Sequence, residues 1–226
     1  MIADNVAAQA VFIGISQAKP EGASNVTVTL SRAQIVSRGF KVGAALLAAG
    51  SATELLTGTA SADTIPDDDL AYARLLVAAE LLGADFYARA VASKRVDRRA
   101  QACLRRARVN EREHYKSVAG ILSGAGQTPA VAVDFDFSYP KGSFASRTAI
   151  AKLGVTLEMT LLGAYLGAVG ALQTSALKQP LARIAASEAE HLGVLTQLAG
   201  GTPFELSFPE ALTIEEASNE LDAYTS

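Results

Sequence analysis

Residues 110–116 read NEREHYK, and residues 187–193 read SEAEHLG. These two stretches hold both histidines of the chain, His114 and His191, and each follows a glutamate by three positions, Glu111 and Glu188. On a helix, residues three apart lie on one face about a turn apart. Each Glu-x-x-His pair can therefore aim a carboxylate and an imidazole at a single metal ion. With 23 acidic residues in 226, both histidines gaining such a partner by chance has odds of roughly one in a hundred.

Two further glutamates extend the pattern. Glu80 lies 31 residues before Glu111, and Glu158 lies 30 residues before Glu188. The half from Glu80 to His114 thus repeats as Glu158 to His191. The midpoints fall in SKRVD (93–97) and LQTSALKQP (172–180), both of which read as turns. About 15 residues separate each ligand from its turn, roughly 23 Å of helix. Both arms of each hairpin then bring their carboxylates to one level. The repeat continues into Tyr87 and Tyr165, each seven residues after its glutamate. Seven residues is two turns, so each tyrosine shares the inward face.

The neighbours of each glutamate decide that face. Glu80 is flanked at helical spacing by Ala73, Leu76, Val77, Gly83 and Ala84. Ala151, Gly154, Val155, Leu161 and Leu162 flank Glu158. Leu104, Ala107, Tyr115 and Val118 accompany Glu111, and Leu181, Ile184, Leu192 and Leu195 accompany Glu188. All four carboxylates sit on apolar stripes that should turn to the core. Unpaired buried carboxylates are costly, and four together repel one another. Two divalent cations would balance four negative charges, and two neutral imidazoles would complete the set. Glu113 and Glu190, one residue before each histidine, read as surface charges. Taken singly, any of these glutamates is ordinarily a solvated helix residue. Six together with internal symmetry are better explained by metal.

Composition agrees with a packed helical protein. Half the residues are hydrophobic, 19% are charged and the net charge is −3. That argues against disorder, and no nucleic-acid partner is expected. A single cysteine, Cys103, excludes an internal disulfide, a rubredoxin centre and a zinc ribbon, and reads as a core filler. Residues 1–30 form an extension with strand-like VFIGIS and NVTVTL, to which no role attaches. Residues 31–62 have the outline of an export signal or a hydrophobic N-terminal helix. Arg32, Arg38 and Lys41 precede a short apolar run, and Ala60-Ser61-Ala62 offers a cleavage site. The run is too short for a membrane span, which takes about 20 apolar residues. An exported location follows if 31–62 is a signal, and a cytoplasmic one otherwise.

The bundle is expected over 63–200, with helices near 67–92, 97–122, 145–172 and 178–199. Asp67-Asp68-Asp69 suits the first helix's N-terminus. Pro180 would fall in the first turn of the fourth helix, where proline is tolerated. About 20 residues containing VAVDFDFSYP lack helical period and would cross the bundle's length. In the tail, 201–226, Thr213 and Glu216 form a capping-box pattern for a short helix.

At this point the chain resembles the ferritin-like superfamily over about 67–199. The pattern Glu80, Glu111-x-x-His114, Glu158, Glu188-x-x-His191 matches that group's carboxylate-bridged dimetal site. DDDLAYARLLVAAELLGADFYARA and FPEALTIEEASNELDAY are similar to segments of bacterial stress- and desiccation-related members. The resemblance implies an all-α four-helix bundle with one long crossover. It implies Glu80, Glu111, His114, Glu158, Glu188 and His191 as ligands, with Glu111 and Glu188 in positions that often bridge the metals. Iron-storage ferritins usually lack the second Glu-x-x-His, which points away from cage storage. The chain's one cysteine cannot build the four-cysteine rubredoxin domain of many rubrerythrins.

The leading functional expectation is a di-iron or di-manganese protein reacting with dioxygen or peroxide. Metals about 3.5–4 Å apart can hold an oxygen species between them. Tyr87 and Tyr165 are candidates for a catalytic role or for hydrogen bonds to the ligands, with plain core packing as the blander reading. The alternative is a non-enzymatic stress or assembly protein whose bundle binds partners. A third feature is the basic run Lys94, Arg95, Arg98, Arg99, Arg105, Arg106, Arg108 and Arg112, ordinarily a solvated face. Pairing of bundles into a homo-oligomer through outer helix faces is a further expectation.

Overall fold

The structure is a computed structural model, and it describes residues 64–204 and 206–225. The readings for 1–30 and 31–62 lie outside the described residues. Within them the chain forms α1 (Asp67–Ala92), α2 (Arg98–Gly124), α3 (Arg147–Ala171), α4 (Ser175–Ala199) and α5 (Ile214–Asp222). A single 3-10 turn, Ala132–Asp134, interrupts the connection between α2 and α3. The described residues form an all-α bundle with a short C-terminal helix, as the periodicity of 67–199 implied.

Local chemistry sets the helix ends. The Asp97 side chain accepts from Ala100 N–H (2.9 Å) to start α2, and Ser146 accepts from Ala149 N–H (3.1 Å) to start α3. Gly200, at φ 93, ends α4 in the left-handed conformation that glycine adopts without steric cost. Thr213 and Glu216 exchange the two bonds of a capping box at α5.

Two positions correct the sequence reading. α4 begins at Ser175, so Pro180 lies in its second turn. There the ring deprives the Ala176 carbonyl of an N–H partner. Cys103 is exposed. The buried positions of α2 include Ala100, Leu104, Ala107, Glu111 and Val118. A residue just before Leu104 is turned about 100° from that stripe, away from the core.

α1 packs along α2, and α3 packs along α4. The two hairpins meet mainly through α1 and α3, and more sparsely through α2 and α4. Leu76, Leu82, Phe86, Leu157, Leu161 and Leu195 are each almost wholly buried between them. α3 is the one described helix long and apolar enough to cross a membrane by composition, yet over half of that window is buried in the bundle.

The hairpins are fastened at one end by Asp69. Its buried carboxylate accepts from the backbone N–H groups of Gln173 (2.9 Å) and Thr174 (2.8 Å) in the α3–α4 turn. Burial alone would raise its pKa, but these bonds outweigh it and hold the group below its usual 3.8.

The crossover is tied to α1 through a polar cluster. Arg89 donates to Asp85 (2.7 Å) and to the Phe137 carbonyl (3.0 Å), and its guanidinium lies 5.1 Å from the centre of the Tyr139 ring. The Tyr139 hydroxyl donates to the same Asp85 carboxylate at 3.0 Å. The tail closes over α3 because two glycines leave room. Leu212 N–H donates to the Gly163 carbonyl at 2.9 Å. A Cβ on Gly167 would fall 1.8 Å from the Leu212 carbonyl oxygen.

Candidate metal centre

Each of the four long helices sends a carboxylate to one level of the bundle. Glu80 comes from α1, Glu111 from α2, Glu158 from α3 and Glu188 from α4, and all four are at most 1% exposed. α2 and α4 add His114 and His191. The geometry that the Glu-x-x-His spacing requires is present on both helices.

Both imidazoles point Nδ1 inward. His114 Nδ1 lies 2.7 Å from Glu188 Oε1 and 3.6 Å from Glu80 Oε2. His191 Nδ1 lies 2.9 Å from both Glu111 Oε1 and Glu188 Oε2, and 3.6 Å from Glu158 Oε1. The donor atoms fall into two overlapping groups, each drawn within 4.8 Å. One is Glu80, Glu111, His114 and Glu188, and the other is Glu111, Glu158, Glu188 and His191. Glu111 and Glu188 belong to both groups.

These groups are not satisfied by one another. Glu80 Oε2, both oxygens of Glu111, His114 Nδ1, Glu158 Oε2 and Glu188 Oε1 are buried without a well-formed hydrogen bond. Leaving a buried polar atom unpaired costs about 1–3 kcal/mol, and more when it is charged. Lone pairs crowded at ion-pair distance, with no protons suitably placed between them, are the arrangement a cation would satisfy. The donor set, carboxylate oxygens and imidazole nitrogens without thiolate, suits iron, manganese or zinc. The residues present therefore fit a metal ion.

Electrostatics express the same crowding. Burial, then the Glu188 charge, pushes Glu80, Glu111 and Glu158 well above the usual carboxylate range. Burial would raise Glu188 too, but the imidazoles of His114 and His191, 2.7 and 2.9 Å from its two oxygens, outweigh it and hold it at about 2. Burial would lower His191, yet the Glu111 and Glu188 carboxylates, each 2.9 Å from its Nδ1, raise it to about 11. One carboxylate thus carries the negative charge that the two imidazoles stabilise, while three resist ionising.

Tyr87 and Tyr165 are fully buried, and each crosses to the other hairpin. The Tyr87 hydroxyl donates to Glu158 Oε1, and the Tyr165 hydroxyl donates to Glu80 Oε1. Each tyrosine thereby fixes one oxygen of an outer carboxylate, the repeat-equivalent of the glutamate two turns before it. Burial first, and the neighbouring carboxylates second, raise both phenols well above 10, so they remain donors.

Two contributors escaped the sequence reading. The Asn110 amide lies 3.0 Å from His191 Nε2, on the side away from the cluster. Gly83 stands where a Cβ would meet Glu111 Oε2 at 2.8 Å, so only glycine leaves that carboxylate its place. The sequence shows Gly83 on the apolar stripe of Glu80 but not its nearness to Glu111. Glu113 is exposed and pairs with Lys116 at 2.7 Å, and Glu190 is exposed.

Four helices, four buried carboxylates and two inward imidazoles define a bundle built around an acidic, metal-competent core. The family model of the ferritin-like domain matches residues 68–201. The chain belongs to the ferritin-like family. A search of curated proteins found no match.

Proposed function

We propose that this is a dimetal carboxylate protein that reacts with dioxygen or peroxide, in metal oxidation or in protection against oxidative stress. The observation that carries the reading is the pair of overlapping donor groups with their orphaned buried atoms. Glu111 and Glu188, shared by both groups, would offer oxygens to both of two divalent ions. Glu80 with His114, and Glu158 with His191, would hold the outer sides. Iron is the first candidate and manganese the second, since both accept this donor set.

Bound metal would supply two adjacent redox centres able to share electrons with an oxygen species. The chain's own residues do the rest. Tyr165 and Tyr87 hold the outer carboxylates by one oxygen each, which limits their rotation. The same phenols are the catalytic candidates, because each O–H sits on a ligand oxygen with a proton to give. Gly83 keeps the space beside Glu111 open to that carboxylate. The burial of all four carboxylates keeps bulk water from them and strengthens the charge interactions among them. The likeness of α1 and the tail to bacterial stress-related members supports a stress-response setting. Export is part of the proposal insofar as 31–62 acts as a signal, and homo-oligomerisation follows the habit of ferritin-like bundles.

Element-specific analysis of protein purified without chelator should find two metal ions per chain. Anaerobic reconstitution with Fe²⁺ or Mn²⁺, then addition of dioxygen or peroxide, should give metal-dependent turnover. Metal-loaded protein inert to both oxidants would reject the enzymatic reading.

A second reading, a stress or assembly module without turnover, draws on one surface feature. Phe204 and Phe208 are more than 90% exposed, and their sequence neighbours Leu206 and Pro209 line a mostly apolar groove of about 510 Å³ with Met159, Leu192 and Leu212. On this reading Glu80→Gln with Glu158→Gln shifts the melting temperature but leaves the cellular role intact. Loss of that role in the double variant would count against it.

A further inference from the structure

The internal repeat predicts two like metal positions, and the structure makes them unlike. The donors of one group, Glu111, Glu158, Glu188 and His191, are all buried. The other group contains His114, which is only partly buried. The His114 side chain is 13% exposed, against 7% for His191. Both lie along the α2–α4 seam, the more sparsely packed join between the hairpins.

The outer nitrogens differ more. His191 Nε2 is met by the Asn110 amide at 3.0 Å across that seam. A metal-binding Nδ1 must be unprotonated, which leaves the ring proton on Nε2. An amide can present its oxygen to that proton by a half-turn, because its two ends are nearly the same shape. Such outer partners orient an imidazole and raise its basicity as a ligand. The repeat-equivalent of Asn110, one residue before Glu188, is Ser187. Its short side chain makes no hydrogen bond to His114, whose Nε2 has no hydrogen-bond partner among the described residues.

We infer that the two positions bind unequally: Asn110 locks the Glu158–His191 position, and the Glu80–His114 position is the exchangeable one, through which ions enter and leave along the α2–α4 seam. Asn110 is thus a positioning residue that acts through His191. The inference rests on the two-ion reading of the site proposed above.

Mn²⁺ titration of the chelator-stripped full chain tests it, with free Mn²⁺ read by electron paramagnetic resonance. Two steps at least tenfold apart in dissociation constant are expected. Asn110→Leu should weaken the tighter step by about 10–100-fold and leave the weaker one in place. Asn110→Asp, which keeps an acceptor, should preserve the gap. Unaltered protein loaded with Mn²⁺ and given excess chelator should lose one ion fast and one slowly, a measurement independent of any variant's folding. Two equal steps, single-phase release, or an effect of Asn110→Leu on the weaker step would overturn the inequality while the dimetal reading stands. One ion per chain, or none, would instead overturn the dimetal reading itself.

Discussion

At the scale of single residues, the centre trades stability for binding capacity. Glu111 has neither carboxylate oxygen well hydrogen-bonded, and it is fully buried among three other carboxylates. Glu111→Gln replaces a carboxyl whose ionisation its neighbours oppose with an amide that cannot ionise. In the presence of chelator it should stabilise the protein by about 1–3 kcal/mol, since the amide N–H can donate to a neighbouring carboxylate oxygen that now lacks a partner. The same variant should gain little from added metal. Chemical denaturation with and without Mn²⁺ reads both effects, and a chelated variant weaker than the parent would contradict the account. Tyr165→Phe acts in the opposite sense. It leaves Glu80 Oε1 buried without its donor and should cost about 1–3 kcal/mol by the same measurement. The two Glu-x-x-His pairs were readable from spacing alone, because 3.6-residue periodicity places i and i+3 together on any helix, and the 30- and 31-residue repeat with its apolar stripes added Glu80 and Glu158 as candidates. Asn110 was not readable: its partner His191 is 81 positions away on a different helix.

At the scale of elements, the helices hold one another through backbone groups that periodicity does not report. Asp69 reads in sequence as a helix-start acid, yet its carboxylate binds the α3–α4 turn. Its folded pKa is depressed, so its contribution is present above the ordinary carboxylate range and is lost as pH falls through the lowered value. Asp69→Asn should therefore cost about 1–2 kcal/mol at neutral pH, and the difference from the parent should shrink in acid. Urea midpoints at pH 7 and below pH 3 check the sign, and a difference that grows in acid would refute it. Gly167 presents a second case. Gly167→Ala would drive a methyl to within 1.8 Å of the Leu212 carbonyl, which must move. About 1–3 kcal/mol of destabilisation is expected from the overpacking, with faster proteolysis of the tail beyond residue 200. The segment GAYLG is visible at 163–167, but nothing in it names the tail as the chain that crosses it. Pro180 and Cys103 went astray for a related reason: one-dimensional signals place helix starts and faces only to within a turn.

At the scale of the whole molecule, metal should act as a folding ligand. The donors come from all four long helices, so the unfolded chain cannot gather them. Each ion that binds the native state alone adds about 2.7 kcal/mol at a hundred times its dissociation constant. Thermal melting should rise with Mn²⁺ and fall on chelation, and a melting temperature indifferent to metal would argue against the assembled centre. The sequence by itself determined the helical class, the four long helices and the pattern that nominates six donor candidates. Heptad-scale periodicity and the doubled Glu-x-x-His spacing are local properties, unchanged by how helices pack. Only the tertiary structure decided which tyrosine holds which glutamate, which carboxylates both donor groups share, and that one imidazole is braced while the other meets solvent. Those are relations between helices, set by packing offsets of an ångström or two that no repeat along one chain encodes.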